Sequence, residues 1–169
     1  MPGVSRRSAF RKETSTTDTD NTPTTLSRDT LAFLKTQNYA DLQEAVKKDP
    51  SLAKASEPRN GYTLLCLIAD DDNVPEKDMT GLVSLLLSNG ADLTAQSKDG
   101  AKNTALHLAL AARNIYFLRA VKAAAPDKMM LFSTVKNGND ETALGAFAKV
   151  NPELDDMINL IELMILVKG

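Results

Sequence analysis

The chain has little of several residue types on which active sites and metal sites depend. Its 169 residues include no tryptophan, one cysteine and one histidine. A lone cysteine cannot form an internal disulfide, and a free thiol fits a reducing compartment. Glycine-rich phosphate loops, paired metal-binding cysteines and the Gly-x-Ser-x-Gly elbow are also absent. We therefore predict no metal site, no cofactor and no enzymatic activity.

Excess charge of one sign and long apolar runs are missing too. The net charge is -2 and the isoelectric point is near 5.4, so the chain lacks the positive field of a typical nucleic-acid binder. Its longest apolar run, residues 157–167, is interrupted by Asn159 and Glu162 and falls short of the roughly 20 residues that span a bilayer. With 43% hydrophobic and 25% charged residues, the composition predicts one soluble domain without nucleic-acid or membrane partners.

Residues 1–25 differ in composition from the rest. They are rich in Ser and Thr, contain Pro2, Gly3 and Pro23, and show no helical or strand period, which predicts a disordered tail. A basic cluster near its start superficially suits a transit peptide, but there is no clear apolar face to support that alternative. The cluster consists of Arg6, Arg7, Arg11 and Lys12.

From Leu26 onward, apolar residues recur at helical spacing. A first pair of short helices is predicted on either side of a turn at Gln37 and Asn38, and Pro50 ends the second of them. Thr63, Thr104 and Thr142 are each placed to cap a later helix, 41 and 38 residues apart. The inward positions of the first pair are Leu31, Leu34, Leu42, Ala45 and Val46.

The second helices of these later pairs have recognisable ends. One is predicted over residues 79–88, with Gly90 able to adopt positive φ at its end. Another is lined by Ile115, Leu118 and Val121 and closed by Pro126. The last carries Ile158, Ile161, Met164 and Ile165 and runs to Gly169. Such a pair has too little apolar area to stand alone, so neighbouring pairs must stack.

Two neighbouring segments have distinctive motifs, VSLLLSNGAD at residues 83–92 and TALHLA at residues 104–109. In these motifs the chain resembles an ankyrin-repeat protein: the first fits the close of the ankyrin unit, and the second fits its Thr-Pro-Leu-His-x-Ala opening except that Ala105 replaces proline. The openings TLLCLI at 63–68 and TALGAF at 142–147 are weaker. The resemblance covers residues 26–169. It implies an all-α ankyrin-repeat solenoid of stacked helix-turn-helix pairs with hairpin-like loops, with residues 31–53 as a divergent N-terminal capping repeat before three further repeats.

The spacing departs from the family period of about 33 residues, so insertions are expected. The first is predicted between two helices at residues 70–78, where the acidic residues are densest, and others in the hairpins at 100–103 and 127–140. We expect longer loops in all three places. Residues 138–141, GNDE, are predicted to form a turn.

Three features invite a chemical interpretation. The resemblance assigns His107 a structural role, its ring bonding the backbone of the adjoining hairpin, in place of a general base. Cys66, at the matching position one repeat earlier, is predicted to be a buried small side chain because its apolar neighbours offer no charge to activate a thiolate. The acidic residues of 70–78 lack the ligand spacing of a calcium loop. A solvated loop, or one that steers a basic partner, remains open.

The family resemblance implies a protein-protein interaction module that binds its partner through a concave surface of hairpin tips and first helices. Tyr62 is predicted to be an exposed anchor beside Arg59, with packing against its own hairpin as the alternative. The predicted partner-binding residues are Arg59, Asn60, Tyr62, Asp70, Asp71, Lys102, Asn103, Glu141 and Lys149, with Ala111, Ala112 and Asn139 also on that surface.

The carboxyl-terminal helix offers a second hypothesis. Leu163 and Val167 fall where the middle repeat has Ser84 and Ser88, yet a terminal repeat needs a polar outer face. Either a second copy covers them in a homodimer, making the chain a self-associating scaffold or inhibitor, or the natural chain continues. The resemblance also admits two origins, a cytoplasmic eukaryotic protein or a bacterial effector delivered into a host cell.

Overall fold

The computed structural model describes residues 25–151 together with residues 153, 159 and 161. Over these residues the chain is mostly helical, with isolated bridges in place of strands, which confirms the all-α prediction. Two short 3-10 segments, Pro50–Ala53 and Pro126–Met130, accompany the α-helices. The α-helices are α1 (Arg28–Lys35), α2 (Tyr39–Lys48), α3 (Leu64–Asp70), α4 (Glu76–Ser88), α5 (Ala105–Ala111), α6 (Ile115–Ala124), α7 (Leu131–Thr134) and α8 (Ala143–Val150).

The predicted capping threonines lie directly before three helices. The Thr63 hydroxyl accepts the Cys66 N–H at 3.4 Å, and the Thr142 hydroxyl accepts the Gly145 N–H at 3.1 Å. Thr104 precedes α5 in the same way. The Thr63 and Thr142 hydroxyls serve backbone N–H groups that a first helical turn leaves without a partner. The three helix starts predicted from threonine spacing are therefore confirmed.

The helix ends predicted at residues 37–38, before Pro50 and at Gly90 are confirmed as well. Gln37 adopts a φ of 55° between α1 and α2, and Asn38 caps α2. Helix α2 stops at Lys48, two residues before Pro50. Gly90 follows α4 with a φ of 81°, a left-handed conformation that glycine adopts without a Cβ clash.

The helices pack in two rows. Helices α3, α5 and α8 pack in that order and form the front row, while α2, α4 and α6 form the back row. Contacts between α3 and α4 and between α5 and α6 join the rows, and α1 packs against α2. The side chains between the rows are fully buried, including Leu65, Leu86, Leu106 and Leu118. Neighbouring helix pairs from α2 to α8 thus bury their apolar faces against one another.

Three loops precede the front-row helices and bond to one another along one edge. They are the first loop (residues 56–63), the second loop (97–104) and the third loop (136–142). The Lys98 N–H donates to the Asn60 carbonyl at 2.7 Å, and the Gly138 N–H donates to the Ala101 carbonyl at 2.8 Å. A Cβ at Gly138 would lie 2.8 Å from the Gly100 carbonyl oxygen. Successive loops therefore pack backbone against backbone, and the turn predicted at 138–141 lies in the third loop.

The prediction of a long loop across residues 127–140 is wrong. The 3-10 segment Pro126–Met130 and helix α7 occupy its first part, and only the remainder forms the third loop. Met129 and Phe132 are buried, since the 3-10 segment packs against α6 and α7 packs against α5 and α8. The apolar letters at 129–132 signal this burial, but the run is too short to show a helical period.

The insertion predicted at residues 70–78 is shorter than expected. Asp70 ends α3, and α4 begins at Glu76, three residues before the predicted start, so the loop proper is residues 71–75. Val74 is 1% exposed and fixes this loop to the core. Pro75, followed by the acidic Glu76 and Asp78 in the first turn of α4, favours the early start.

Several predictions fall at the ends of the chain. Thr25, assigned to the tail, pairs with Ser56 in a bridge, while residues 1–24 lie outside the described residues. So do Leu163 and Val167 and most of the predicted last helix, although Ile161 is buried. Of the helices that the structure describes, none has the length and apolarity to cross a bilayer.

Candidate functional site

The loop tips carry several of the predicted partner-binding residues on the surface. Arg59 and Asn60 are exposed on the first loop, and Lys102 and Asn139 on the second and third. Asn103 and Glu141 are half-buried, each directly before a capping threonine. The loops bring together residues that are distant in sequence, as the family resemblance implies.

The other predicted partner-binding residues, in the acidic stretch and on the front-row helices, differ in solvent exposure. Asp70 is exposed at the end of α3, while Asp71 is half-buried. Partial burial, with repulsion from Asp71 and Asp72, raises the pKa of Asp70. Ala111 and Lys149 are exposed on α5 and α8, and Ala112 is half-buried after α5.

Tyr62 is not the exposed anchor that the sequence predicts. It is half-buried and packs against the core, and its hydroxyl donates to Asp99 of the second loop at 3.4 Å. Burial, followed by the nearby Asp99 carboxylate, raises the pKa of Tyr62. The packing alternative is the closer description, except that the side chain packs against the core and its hydroxyl bonds the next loop.

This contact is the first of two that relate neighbouring loops in the same way. Tyr62 and Asn103 each precede a capping threonine, and Asp99 and Asn137 each lie five residues before the next one. The Asn137 amide donates to the Asn103 side-chain oxygen at 3.0 Å. Side chains at matching positions therefore join the first loop to the second and the second to the third.

His107 makes the backbone contact predicted for it. Its Nε2 lies 2.9 Å from the Glu141 carbonyl oxygen, and its Nδ1 lies 2.8 Å from the Thr104 hydroxyl. A carbonyl can only accept, so Nε2 carries the proton and Nδ1 accepts from Thr104. Burial lowers the pKa of His107, only partly offset by Glu141. The neutral ring joins α5 to the third loop and leaves neither nitrogen for proton transfer.

Cys66 occupies the matching position in α3 and makes no such bridge. It is 1% exposed, and its sulfur lies 3.5 Å from the Thr63 hydroxyl. Burial raises the pKa of the Cys66 thiol, which disfavours the reactive thiolate. Its predicted burial is confirmed.

The front row opens into a cleft between α5 and α8, with a volume of about 540 Å³. Ala111 and Ala146 form part of its apolar wall with Phe147 and Val150. Val150 is 72% exposed, an unusual position for a large apolar side chain. The polar lining consists of Asn103, His107, Arg113, Asn137, Asn139, Glu141, Lys149 and Asn151. The cleft is an open groove, and it collects predicted binding residues from the second loop, the third loop and α8.

Charge in the cleft is unevenly compensated. The Lys149 ammonium lies 2.6 Å from a Glu141 carboxylate oxygen, and this pairing raises the pKa of Lys149. Arg113 instead donates to the neutral Asn151 side-chain oxygen at 2.7 Å. The charged side chains among the described lining residues therefore sum to one positive charge, on a chain whose net charge is -2.

Arg113 has an unusual backbone. It adopts a φ of 55° immediately before Asn114, which caps α6, as Gln37 does before the cap of α2. The left-handed conformation is uncommon for residues other than glycine and asparagine. The repeated Gln37–Asn38 and Arg113–Asn114 pairs are the sequence signal that marks this position, and the sequence prediction missed it.

Buried polar contacts hold the starts of α2 and α6 to the end of α3. The Asn114 amide nitrogen lies 3.0 to 3.2 Å from the carbonyl oxygens of Ile68, Ala69 and Asp71, which share its two N–H donors. The Tyr39 hydroxyl donates to Asp71 at 3.2 Å, and burial together with Asp71 raises the pKa of Tyr39 to about 12. Asp71, predicted to contact a partner, therefore accepts bonds within the domain.

No group of three His, Cys, Asp or Glu side chains in the described part of the chain is arranged to hold a metal ion. The site residues instead offer hydrogen-bonding amides, one arginine and an apolar wall. Comparison of the chain with protein-family models, with curated proteins and with solved structures gives no significant match.

Proposed function

We propose that the chain is a divergent ankyrin-repeat protein that binds a protein partner through its loops and front-row helices. The ordered contacts within each helix row support the stacked-repeat arrangement. The capping threonines and the loop-to-loop bonds recur at matching positions, as repeating units would require.

The observation that carries the binding function is the cleft between α5 and α8. Its wall combines apolar side chains with polar groups from two loops, a composition suited to protein recognition. His107 and Asn114 fix the surrounding loop and helix ends through buried hydrogen bonds. A partner would therefore meet a surface that is already ordered, which lowers the entropic cost of association.

Site-specific photo-crosslinking tests this proposal. A photoreactive amino acid is placed in the full chain at Lys102, Ala111 or Asn139, which are exposed around the loops and α5. Matched control chains carry it at Ser84 of α4 or Ala123 of α6, which are exposed on the back row. We expect the first three chains to form the same discrete adduct in cells that produce the protein, and mass spectrometry then identifies the partner.

Two results would contradict the proposal. One is an absence of adducts from all three loop and front-row positions when each chain is folded and expressed. The other is a partner that crosslinks equally to the back-row controls, because it would not distinguish the two faces. Circular dichroism of every labelled chain verifies that the helices are retained.

A further inference from the structure

We propose that the cleft between α5 and α8 binds an extended segment of a partner protein and that Arg113 pairs with an internal Asp or Glu side chain of that segment. This inference rests on the proposed function and adds the chemistry of the partner. An extended segment fits because the cleft is an open groove lined by the second loop, the third loop, α5 and α8.

Arg113 supplies the charge for this recognition. Its guanidinium has five N–H donors in a planar fork, and the bond to Asn151 uses one terminal nitrogen. The opposite edge of such a fork matches the two oxygens of a carboxylate. Since Lys149 and Glu141 compensate each other at 2.6 Å, Arg113 gives the cleft its complementarity to an acidic side chain.

The remaining lining suits a peptide backbone. Asparagine amides both donate and accept, as peptide groups do, and the lining includes the exposed Asn139 of the third loop and the half-buried Asn103 of the second. On α8, Ala146 has a small side chain, and Val150 offers apolar contact. The combined surface can hold an extended segment with an acidic residue between apolar ones.

Arg113 shares its backbone conformation with Gln37, and both residues lie directly before an asparagine that caps a helix. The positive φ therefore belongs to the turn between two helices and is independent of what the side chain binds. The matching Gln37 shows that a neutral side chain also adopts this conformation within the same protein, which supplies a conservative substitution for the test.

The experiment selects ligands from a phage-displayed library of random linear twelve-residue peptides, using the full chain as target. Selected peptides are then synthesised with a fluorophore, and their dissociation constants are measured by fluorescence polarisation. We expect the peptides to share an acidic residue, and Arg113→Gln to weaken binding about tenfold or more, as loss of a hydrogen-bonded charge pair does. Arg113→Lys should weaken binding less, because the charge remains without the fork.

A double-mutant cycle locates the pairing. Replacing the acidic residue of the peptide by its amide should weaken binding to the wild-type chain but add little to the loss in Arg113→Gln. Arg28→Gln removes the same charge from the exposed start of α1 and should leave affinity unchanged. Circular dichroism and melting curves establish that the variants remain folded.

The outcomes separate this inference from the proposed function. Peptides without a shared acid, a failure to select any peptide, or affinity within twofold in Arg113→Gln would overturn acid recognition. The arginine of Ala146→Arg fills the cleft. If this variant does not bind selected peptides that lack a shared acid, the cleft is still the binding surface, and only acid recognition by Arg113 is overturned. Peptide binding that survives Ala146→Arg and maps by crosslinking to the back row contradicts both proposals.

Discussion

At the scale of single residues, His107 determines how firmly α5 holds the third loop. We expect His107→Ala to lower the free energy of unfolding by about 2 kcal/mol, because it removes buried hydrogen bonds and leaves a cavity. Urea unfolding followed by circular dichroism measures the loss. Cys66→Ala is the matched control, since Cys66 has the same position in α3 without a bridge to the next loop. This variant should lower the free energy of unfolding by less than His107→Ala does. Equal stability of His107→Ala and wild type would contradict the structural role.

The lowered pKa of His107 also predicts how stability depends on pH. The ordinary value is 6.5, and burial places the folded pKa below it. Between these two values the unfolded chain binds more protons, so the free energy of unfolding decreases as the pH falls below about 6.5 and levels off below the folded pKa. We expect His107→Gln to lack this component. Urea unfolding from pH 8 to pH 5 measures the free energy of unfolding of the wild type and of His107→Gln. Both chains have the same carboxylates, so the contributions of these groups cancel in the difference. Parallel stability profiles of the two chains would show that the ring has no such effect.

At the scale of structural elements, Asn38 and Asn114 occupy matching caps with different surroundings. Asn38 caps α2 and bonds the exposed Asp41. Asn114 caps α6 and also donates to three carbonyl oxygens at the end of α3 and in the loop that follows. We expect Asn38→Ala to cost about 1 kcal/mol and Asn114→Ala about 2 to 3 kcal/mol, because buried carbonyls lose their donor. Equal losses in urea unfolding would show that the buried bonds add nothing to capping.

Helix α7 is the element that sequence reasoning assigned to a loop. Phe132 is fully buried there, whereas the nearby Met130 is 58% exposed. We expect Phe132→Ala to lower the free energy of unfolding by about 3 to 5 kcal/mol, because it empties a core position, and Met130→Ala to change it by less than about 0.5 kcal/mol. Phe132→Leu, which retains most of the volume, should fall between them. A small loss in Phe132→Ala would support the loop that the sequence predicted.

At the scale of the whole molecule, the two helix rows predict an uneven distribution of local stability. Helix α5 packs against both α3 and α8, and α4 packs against both α2 and α6, whereas α1 packs chiefly against α2. In a stack of repeats, elements with neighbours on both sides open least often. We expect native-state hydrogen exchange, measured by mass spectrometry, to be slowest in α4 and α5 and faster in α1. Exchange at one uniform rate across all the helices would instead indicate a single cooperative unit.

Much of the fold was predictable because it depends on local signals. Threonine caps, a glycine after α4 and apolar residues at helical spacing each restrict the backbone within a few residues. Helix α7 was not predictable, since its burial depends on tertiary contacts with α5 and α8. For the candidate site, the sequence identified Asn103, Glu141 and Lys149 on the family resemblance but missed Arg113 and misjudged Tyr62. Which side chains share a cleft depends on how the loops align.

The sequence by itself determined most of the helices, the three starts at capping threonines and the burial of Cys66, because hydrophobic period and capping chemistry depend on neighbouring residues. Only the tertiary structure decided that Tyr62 bonds the second loop, that Val74 fixes the acidic stretch to the core and that Arg113 faces the same cleft as Lys149. Each of these depends on residues brought together from separate helix pairs, and packing between pairs sets their distances. The helices thus follow from short-range chemistry, and the candidate binding surface follows from stacking.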